Sequence, residues 1–306
     1  MKEGIILCFV FGSFNIQYFS GDGLYRKNGT PENTNPVGRN LDAIADIILN
    51  EKFDIIALQE VMDYMAVTKL VRIINFKTLD HWECYHGMPP VCKRIEIEET
   101  EDDNKNGKLG FGFLWNTRRF NLCSSSDGVP ILPSIINIPT CIKRNPLYGR
   151  FIPTNLPKVE IRLINVHLRS SGYMQEKLGE FKTIMCDIYN MINSGERGDN
   201  RSIYTFVLGD YNLQFKRCNR HRLTEPNLYI TDTYQEAPTT LSRQNKQYTN
   251  NDFDHFDYGG KIFDGVVISP ERVDAVSKYS NGFEEYLKTI SDHVPIKIIL
   301  NLNPRR

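Results

Sequence analysis

In the stretch VLGDYNLQF, Val207 to Phe215, an apolar run gives way to Gly209, Asp210 and Asn212. Alternate side chains of an extended chain share a face, so Asp210 and Asn212 project together from the strand end. Two oxygen-bearing groups facing one point suit a hard cation, an attacking water or a phosphoryl oxygen, although Asp and Asn also end strands simply as turn formers. The same kind of interruption recurs along the chain. Asn15 sits in SFNIQYF, Glu60 ends FDIIALQE, and His167 ends the apolar part of INVHLRSS. Asp264 opens IFDGVVIS, and Asp292 with His293 stands just before VPIKIIL. Each has a plain structural explanation taken singly: an edge amide, a helix N-cap, a satisfied core histidine, a turn former. One convergent site at the ends of sheet strands accounts for all of them together.

The elements that must position these groups alternate between strand and helix. Phe14, Ile16 and Tyr18 alternate with Ser13, Asn15 and Gln17, which predicts a strand. Leu41, Ile44, Ala45 and Ile48 make one apolar helical face, and FDIIALQE then reads as a short strand buried on both sides. The pattern continues with a helix over Val61 to Phe76, strands over Phe111 to Trp115 and Val159 to His167, and a helix over Met174 to Ile192. Further strands are predicted over Ile262 to Ile268 and Val294 to Leu300, in an α/β architecture. The Gly-, Asn- and Pro-rich segment Ser20 to Gly38 and the acidic segment Glu96 to Lys108 read as loops.

Lys plus Arg and Asp plus Glu are both 37, so the formal net charge is zero and no global field steers the chain to nucleic acid or an anionic membrane. Anion binding has to be local. Lys216, Arg217, Arg220, His221 and Arg222 supply such a patch beside Asp210, where a solvated loop is the plain alternative. Seven cysteines without regular spacing argue against a disulfide framework and for a reducing, cytoplasmic setting. Cys84 and Cys92 flank YHGMPPV, where a disulfide, ligation of a metal with His86 or two unpaired thiols are the options; unpaired thiols are the reading adopted. The N-terminal MKEGIILCFVFGS has the make-up of a very short signal peptide, yet it runs directly into a good strand, so it reads as part of the fold. No segment is long enough to span a bilayer, and no stable membrane association is expected.

The ordered motifs SFNIQ, DIIALQEV, NVHLRSS, LGDYNLQ, FDGVVIS and SDHVPI resemble those of the endonuclease/exonuclease/phosphatase superfamily, the DNase I-like fold. The resemblance extends from Ser13 to about Leu300 and so treats residues 1–306 as one domain. It implies a four-layer α/β sandwich, two mixed β-sheets packed face to face with helices outside, with the site at one edge. It also implies hydrolysis of phosphate esters assisted by Mg²⁺ or Mn²⁺. Glu60 and Asp292 would anchor that cation with Asn15 as a nearby neutral oxygen, because Mg²⁺ takes few carboxylates and keeps waters. Asp210 would orient or deprotonate the attacking water, and Asn212 would hold a phosphate oxygen or a second metal position. His293, oriented by Asp264, would contact the phosphate; His167 would protonate the leaving oxygen or stabilise the pentavalent phosphorus.

Arg144 in KRNPLYGRF matches the arginine of the superfamily's R(D/E)P segment, implying contact with substrate phosphate. One position departs from the secreted DNase branch: the glutamate that orients the histidine matching His167 is replaced by about Leu109, beside Lys108. Phosphoinositide 5-phosphatases carry P(A/S)WCDR(I/V)L where this chain has GGKIFDGVVIS, which argues against that branch. A nuclease acting on DNA or RNA is therefore the expectation, with Arg217, Arg220 and Arg222 as backbone contacts and a monomer as the default state. A phospholipid phosphodiesterase or phosphatase and a non-catalytic binding protein on the same fold are the alternatives.

Overall fold

The computed structural model describes residues 7–20, 39–88, 109–137, 142–194, 201–214, 237–258 and 267–302. Strand β1 (Leu7–Phe19) lies in the middle of the first sheet and builds both of its faces. Phe9 and Phe11 enter a core between two sheets, while Val10, Phe14 and Ile16 pack on the opposite side against helices. The neighbouring β2 (Ile55–Val61) repeats the division, with Ile55 and Ala57 inward and Ile56 and Leu58 outward. Side chains buried on both faces explain why these strands read as nearly continuous apolar runs.

The first sheet has the order β13 (Val267–Arg272), β14 (Ile296–Leu302), β1, β2, β4 (Gly110–Asn116), β3 (Trp82–Gly87). The second runs β12 (Asp254–Tyr258), β9 (Ser202–Asp210), β8 (Val159–His167), β7 (Leu147–Pro153), β5 (Phe120–Leu122), with β6 (Ser134–Ile135) also paired to β7. Both sheets are mixed: β1 with β2 and β8 with β9 are parallel, and the remaining ladders are antiparallel. A two-stranded hairpin, β10 (Leu241–Ser242) and β11 (Gln247–Tyr248), stands apart from them.

Helices α1 (Leu41–Asn50) and α2 (Tyr64–Lys77), with the short α5 (Ala275–Tyr279) and α6 (Phe283–Thr289), cover the outer face of the first sheet. The second sheet is covered by α3 (Met174–Lys182), a π-helical stretch (Thr183–Ile188) and α4 (Tyr189–Ser194). The result is the four-layer sandwich of two face-to-face mixed sheets that the sequence resemblance implied. Between the sheets the packing is aromatic: Phe9 meets Phe120 edge-on at 5.1 Å and Phe113 meets Phe151 at 5.6 Å between centroids.

Helix α2 begins three residues later than its apolar pattern suggested. Val61 still pairs with Gly110 on β4, and the Asp63 carboxylate caps the helix by accepting from Ala66 N at 2.9 Å. Cys84 carries a free thiol, as expected, and His86 Nε2 lies 3.3 Å from the Val61 carbonyl; Cys92 is outside the described residues. The acidic segment from Glu96 is also outside them, and of the strand predicted from Ile262 the described part is β13. Among the described residues no helix is long and apolar enough to cross a membrane.

Candidate active site

The site grows out of a change in side-chain chemistry along four central strands. Inward positions carry Phe9 and Phe11 on β1, then Ser13 and Asn15; on β2, Ile55 and Ala57, then Gln59. On β8, Ile161 and Leu163 give way to Asn165 and His167, and on β9 Phe206 and Leu208 give way to Asp210. The apolar core therefore ends in a polar floor at the carboxyl ends of both parallel pairs. Gln59 Nε2 donates to Ser13 Oγ at 3.1 Å and across the sheets to Asn165 Oδ1 at 2.7 Å, while Asn165 Nδ2 donates to the carbonyls of Leu58 and Gly112. Every member of this buried bridge has a partner, as a polar group inside a core requires.

Register does the rest. β8 and β9 are aligned so that Val166 pairs with Gly209 and His167 with Asp210. Gly209 has φ +147°, and a Cβ there would lie 1.9 Å from the Val166 carbonyl oxygen, so only glycine admits this approach of the two strands. Glu60 follows Gln59 and by strict alternation would point outward. A bulge between Gln59 and Val61, with Glu60 at φ +59°, turns its carboxylate to the site. Gln17 at φ +46° and Tyr18 at φ +51° lie where the β1–β2 register shifts, and Asn212 at φ +48° follows β9. Of the six non-glycine residues with positive φ among the described residues, these four surround the site, the pattern of backbone strain held at a functional centre.

Asp210 is the hub. Its Oδ2 accepts from Asn15 Nδ2 at 3.0 Å and lies 3.6 Å from His167 Nε2 and 3.7 Å from His293 Nε2. Its Oδ1 accepts from Asn212 N at 2.8 Å. Burial pushes the Asp210 carboxyl up to about 7, with the charge of Asp254 adding to the shift and His293 opposing it. Asn15 Nδ2 also donates to Glu60 Oε1 at 3.1 Å, and Tyr18 N donates to Glu60 Oε2 at 3.0 Å. The Glu60 carboxyl is raised by burial and by the negative charge of Asp292.

The two histidines differ. His293 Nδ1 is 2.8 Å from Asp254 Oδ2, and against the cost of burial the charges of Asp254 and Asp210 hold its imidazole well above the usual range, as a cation. His167 is pressed well below that range by burial, with the charges of Arg144 and His293 adding, so it is neutral. Among the described residues its buried Nδ1 has no hydrogen-bond partner. Leu109, which stands at about the position where the secreted DNase branch carries a glutamate, is buried.

The structure brings Asn15, Glu60, His167, Asp210, Asn212, Asp292 and His293 together as the sequence pattern suggested. His293 Nδ1 is met by the Asp254 carboxylate, on β12, while Asp264, the partner expected from sequence, lies outside the described residues. Asp254 pairs with Asp210 across the β12–β9 ladder, which is why it reaches the site. Arg217, Arg220 and Arg222 also lie outside the described residues. Arg144 is buried, and its Nη1 donates to the carbonyls of His167 at 3.4 Å and Leu168 at 3.3 Å, so it braces the end of β8. Asn15, assigned to a cation from sequence, uses its amide to tie Glu60 to Asp210 while its Oδ1 accepts from Gln17 N.

Among the described residues no group of three or more His, Cys, Asp and Glu side chains is arranged to hold a metal ion. What is present are oxygen donors: Glu60 and Asp292, two carboxylates close enough for one to raise the pKa of the other. That set fits a hard divalent cation that keeps most of its own waters, which would relieve the repulsion between them. Gln17 was not anticipated from sequence; its amide Nε2 donates to Asp292 Oδ2.

No family profile matches the sequence, and neither does any curated protein. Solved structures do match along almost the whole chain. An endonuclease/exonuclease/phosphatase family protein from Bacteroides thetaiotaomicron is similar with TM-score 0.59 at 15% identity, covering 97% of this chain and 99% of that one. The mannosyl-6-phosphatase of Bacteroides thetaiotaomicron gives TM-score 0.57 at 15% identity over 95% and 99%. D. rerio TDP2, complexed with single strand DNA product, gives TM-score 0.57 at 14% identity over 96% and 99%. At these identities the likeness is one of fold.

Proposed function

From a chain that carries the DNase I-like fold of the endonuclease/exonuclease/phosphatase superfamily, we propose a divalent-metal-dependent phosphoric ester hydrolase whose substrate is a phosphodiester of DNA or RNA. The carrying observation is the Asp210 carboxylate within 3.7 Å of two imidazoles, one cationic and one neutral, beside the Glu60–Asp292 pair. Asp210 accepts the proton of the attacking water, and its raised pKa makes it a stronger base than an exposed aspartate. Cationic His293, steadied by Asp254, donates to a phosphoryl oxygen as charge develops there. Neutral His167 donates through Nε2 to the same phosphoryl group. Glu60 and Asp292 would hold the Mg²⁺ or Mn²⁺, with Asn15 bracing Glu60 against Asp210 and Asn212 on the phosphate. When bound, the cation supplies charge that offsets the negative charge on the phosphoryl oxygens. Arg144 adds positive potential from beneath, its charge reaching Glu60 and Asp210.

The nucleic-acid reading rests on the basic residues Lys216 to Arg222 next to Asp210 and on the DNA product of the fold neighbour D. rerio TDP2. A sugar-phosphate monoester is the second reading, favoured by the equally similar mannosyl-6-phosphatase. The experiment is hydrolysis in Mg²⁺, and again in EDTA, of single-stranded DNA, duplex DNA, RNA, mannose 6-phosphate and sphingomyelin. Chelator-sensitive cleavage of a nucleic acid supports the proposal. Undiminished turnover in chelator sinks the metal, and cleavage of the sugar phosphate or the lipid alone sinks the nuclease.

A further inference from the structure

One side of the site is built from Gln17, Arg39, Arg243 and Asp292. Gln17 is buried in the left-handed region, and its amide has a fixed polarity. Its Oε1 accepts from Arg39 Nη2 at 3.0 Å and from Arg243 Nη2 at 2.7 Å, so its Nε2 is the end that reaches Asp292. Arg39 is buried as well and also donates to the Gln17 carbonyl, through Nη2 at 2.6 Å and Nε at 3.2 Å. Arg39 alone therefore holds both the backbone and the amide of Gln17. Arg243 is the exposed member of the pair.

Its position is nonetheless rigidly tied to the site. Arg243 lies in the turn between β10 and β11, and Leu241 N donates to the Asp292 carbonyl at 2.8 Å while Thr240 bridges His293. The other strand is held by Arg272, whose guanidinium stands 4.3 Å over the Tyr248 ring, and by the edge-on contact of Tyr248 with Phe283. An exposed arginine thus lies two hydrogen bonds from the Asp292 carboxylate on a turn tied by backbone bonds to Asp292 and His293. A planar fork of donors at that spot matches the two oxygens of a phosphate.

We propose that Arg243 is a substrate-binding residue that grips a second phosphate, next to the scissile one, so that the site selects substrates carrying more than one phosphate group. This rests on the phosphoric ester hydrolase reading above. Arg39 and Gln17 are the positioning residues that keep that grip in line with Asp292.

The test compares the 5′-phosphorylated dinucleotide pdTpdT with bis-p-nitrophenyl phosphate, which has a single phosphate, in the parent protein, R243A, R243K and K246A. Lys246 lies on the same turn and pairs with Glu284 at 2.7 Å, away from the site. The readout is the ratio of kcat/KM for the two substrates. R243A should lower that ratio on the order of tenfold or more, mainly through KM for the dinucleotide, R243K should restore part of it, and K246A should leave it alone. A ratio unchanged in R243A overturns the proposal, including the case in which both substrates suffer equally. If the parent hydrolyses neither substrate, the enzymatic reading fails by itself. Binding of pyrophosphate by titration calorimetry in metal-free buffer then decides: affinity lost in R243A but kept in K246A upholds the grip, and equal affinity, or none in the parent, overturns it.

Discussion

Opposite ends of the first sheet treat charge in opposite ways. Away from the site, where β2 and β3 begin and β4 ends, a cleft of about 660 Å³ is lined by Asp46, Asp54, Asp80, Lys77 and Arg119 among others. Carboxylates there meet a base or an amide: Asp54 with Arg119 at 2.9 Å, Asp46 with Lys77 at 2.9 Å, Asp80 with Asn116 at 2.9 Å. At the site end Glu60 and Asp292 repel each other, Asp210 is raised by burial and Asp254, and two imidazoles face one carboxylate oxygen. That cleft is one where the charges satisfy each other. Unneutralised charge, held there by strained backbone, marks the place prepared for an external cation and phosphate.

The most disruptive way to probe this contrast is Asp210→Asn. Turnover should fall by about three orders of magnitude or more, since the base is lost while the shape is kept. The folded state should keep its stability, because an isosteric amide removes a charge that burial disfavours. Steady-state rates together with thermal unfolding check both halves; a variant that hydrolyses at the parent rate removes Asp210 from the chemistry.

Stability in chelator should then slope in opposite directions for the two ends. The Asp210 pKa near 7 lies above the value of about 3.9 for an unfolded aspartate, so between those values the folded state holds a proton the unfolded chain has released. Stability from this group is present at low pH and declines as pH rises toward 7. At the far end, hydrogen bonds from Lys297 and Lys278 outweigh burial and hold Glu51 below its usual range. Its contribution is present above the unfolded value of about 4.3 and declines as pH falls below it. Denaturant titrations from pH 4 to 8 should show the first slope flattened in Asp210→Asn alone. Extending them to pH 3 should show the second flattened in Glu51→Gln alone.

How much of this was readable beforehand follows from the geometry. Strand β8 was legible to the residue, because Val159, Ile161 and Leu163 make one apolar face, alternating with Glu160 and Arg162, until Asn165 and His167 interrupt it. The group around Asp210 was legible because each member interrupts or borders an apolar run. Asp254 was not: all of β12, DHFDY, is buried despite four ionisable side chains, so its polarity disguises a buried edge strand that only the pairing with β9 reveals. Asp264 was assigned that role because FDGVVIS is one of the motifs that carry the family resemblance. The inward turn of Glu60 depends on a bulge that no alternation pattern encodes, and Gln17 sits on a similar irregularity. Strand β7 alternates buried and half-buried residues, yet its Gly149 and terminal Pro153 give LYGRFIP the look of a loop.

A substitution at the far end should reverse the pattern of Asp210→Asn. Asp54 accepts from Val10 N at 2.9 Å as well as from Arg119, which ties the start of β2 to β1 and to the β4–β5 turn. Asp54→Asn leaves Arg119 without its ion pair; because Arg119 is about a third exposed, the loss should be about 2 kcal/mol rather than the full value for a buried pair. Turnover should stay within about twofold of the parent. Chemical denaturation would measure the first, and a matching drop in turnover with the fold intact would mean that the two ends are coupled.

The smallest effect is expected at Lys77, and it sets the lower limit of the comparison. Its ammonium lies 2.9 Å from Asp46 and 3.1 Å from Asp42, joining the end of α2 to α1. The lysine is 26% exposed but the aspartates are 45% and 72% exposed, so water screens both pairs. Lys77 also occupies the last turn of α2, where a cation favours the carbonyl end of the helix. These terms together are worth about 0.5–1 kcal/mol at low ionic strength, and Lys77→Met, which keeps the length and apolar stem, should lose that amount. In 0.5 M NaCl the difference should shrink toward zero, since the Debye length falls to about 4 Å. Turnover should not change at either salt concentration. A salt-independent loss would mean that the stem of Lys77, not its charge, packs α2 against α1. A change in turnover would mean that pairing at this end reaches the chemistry at the other.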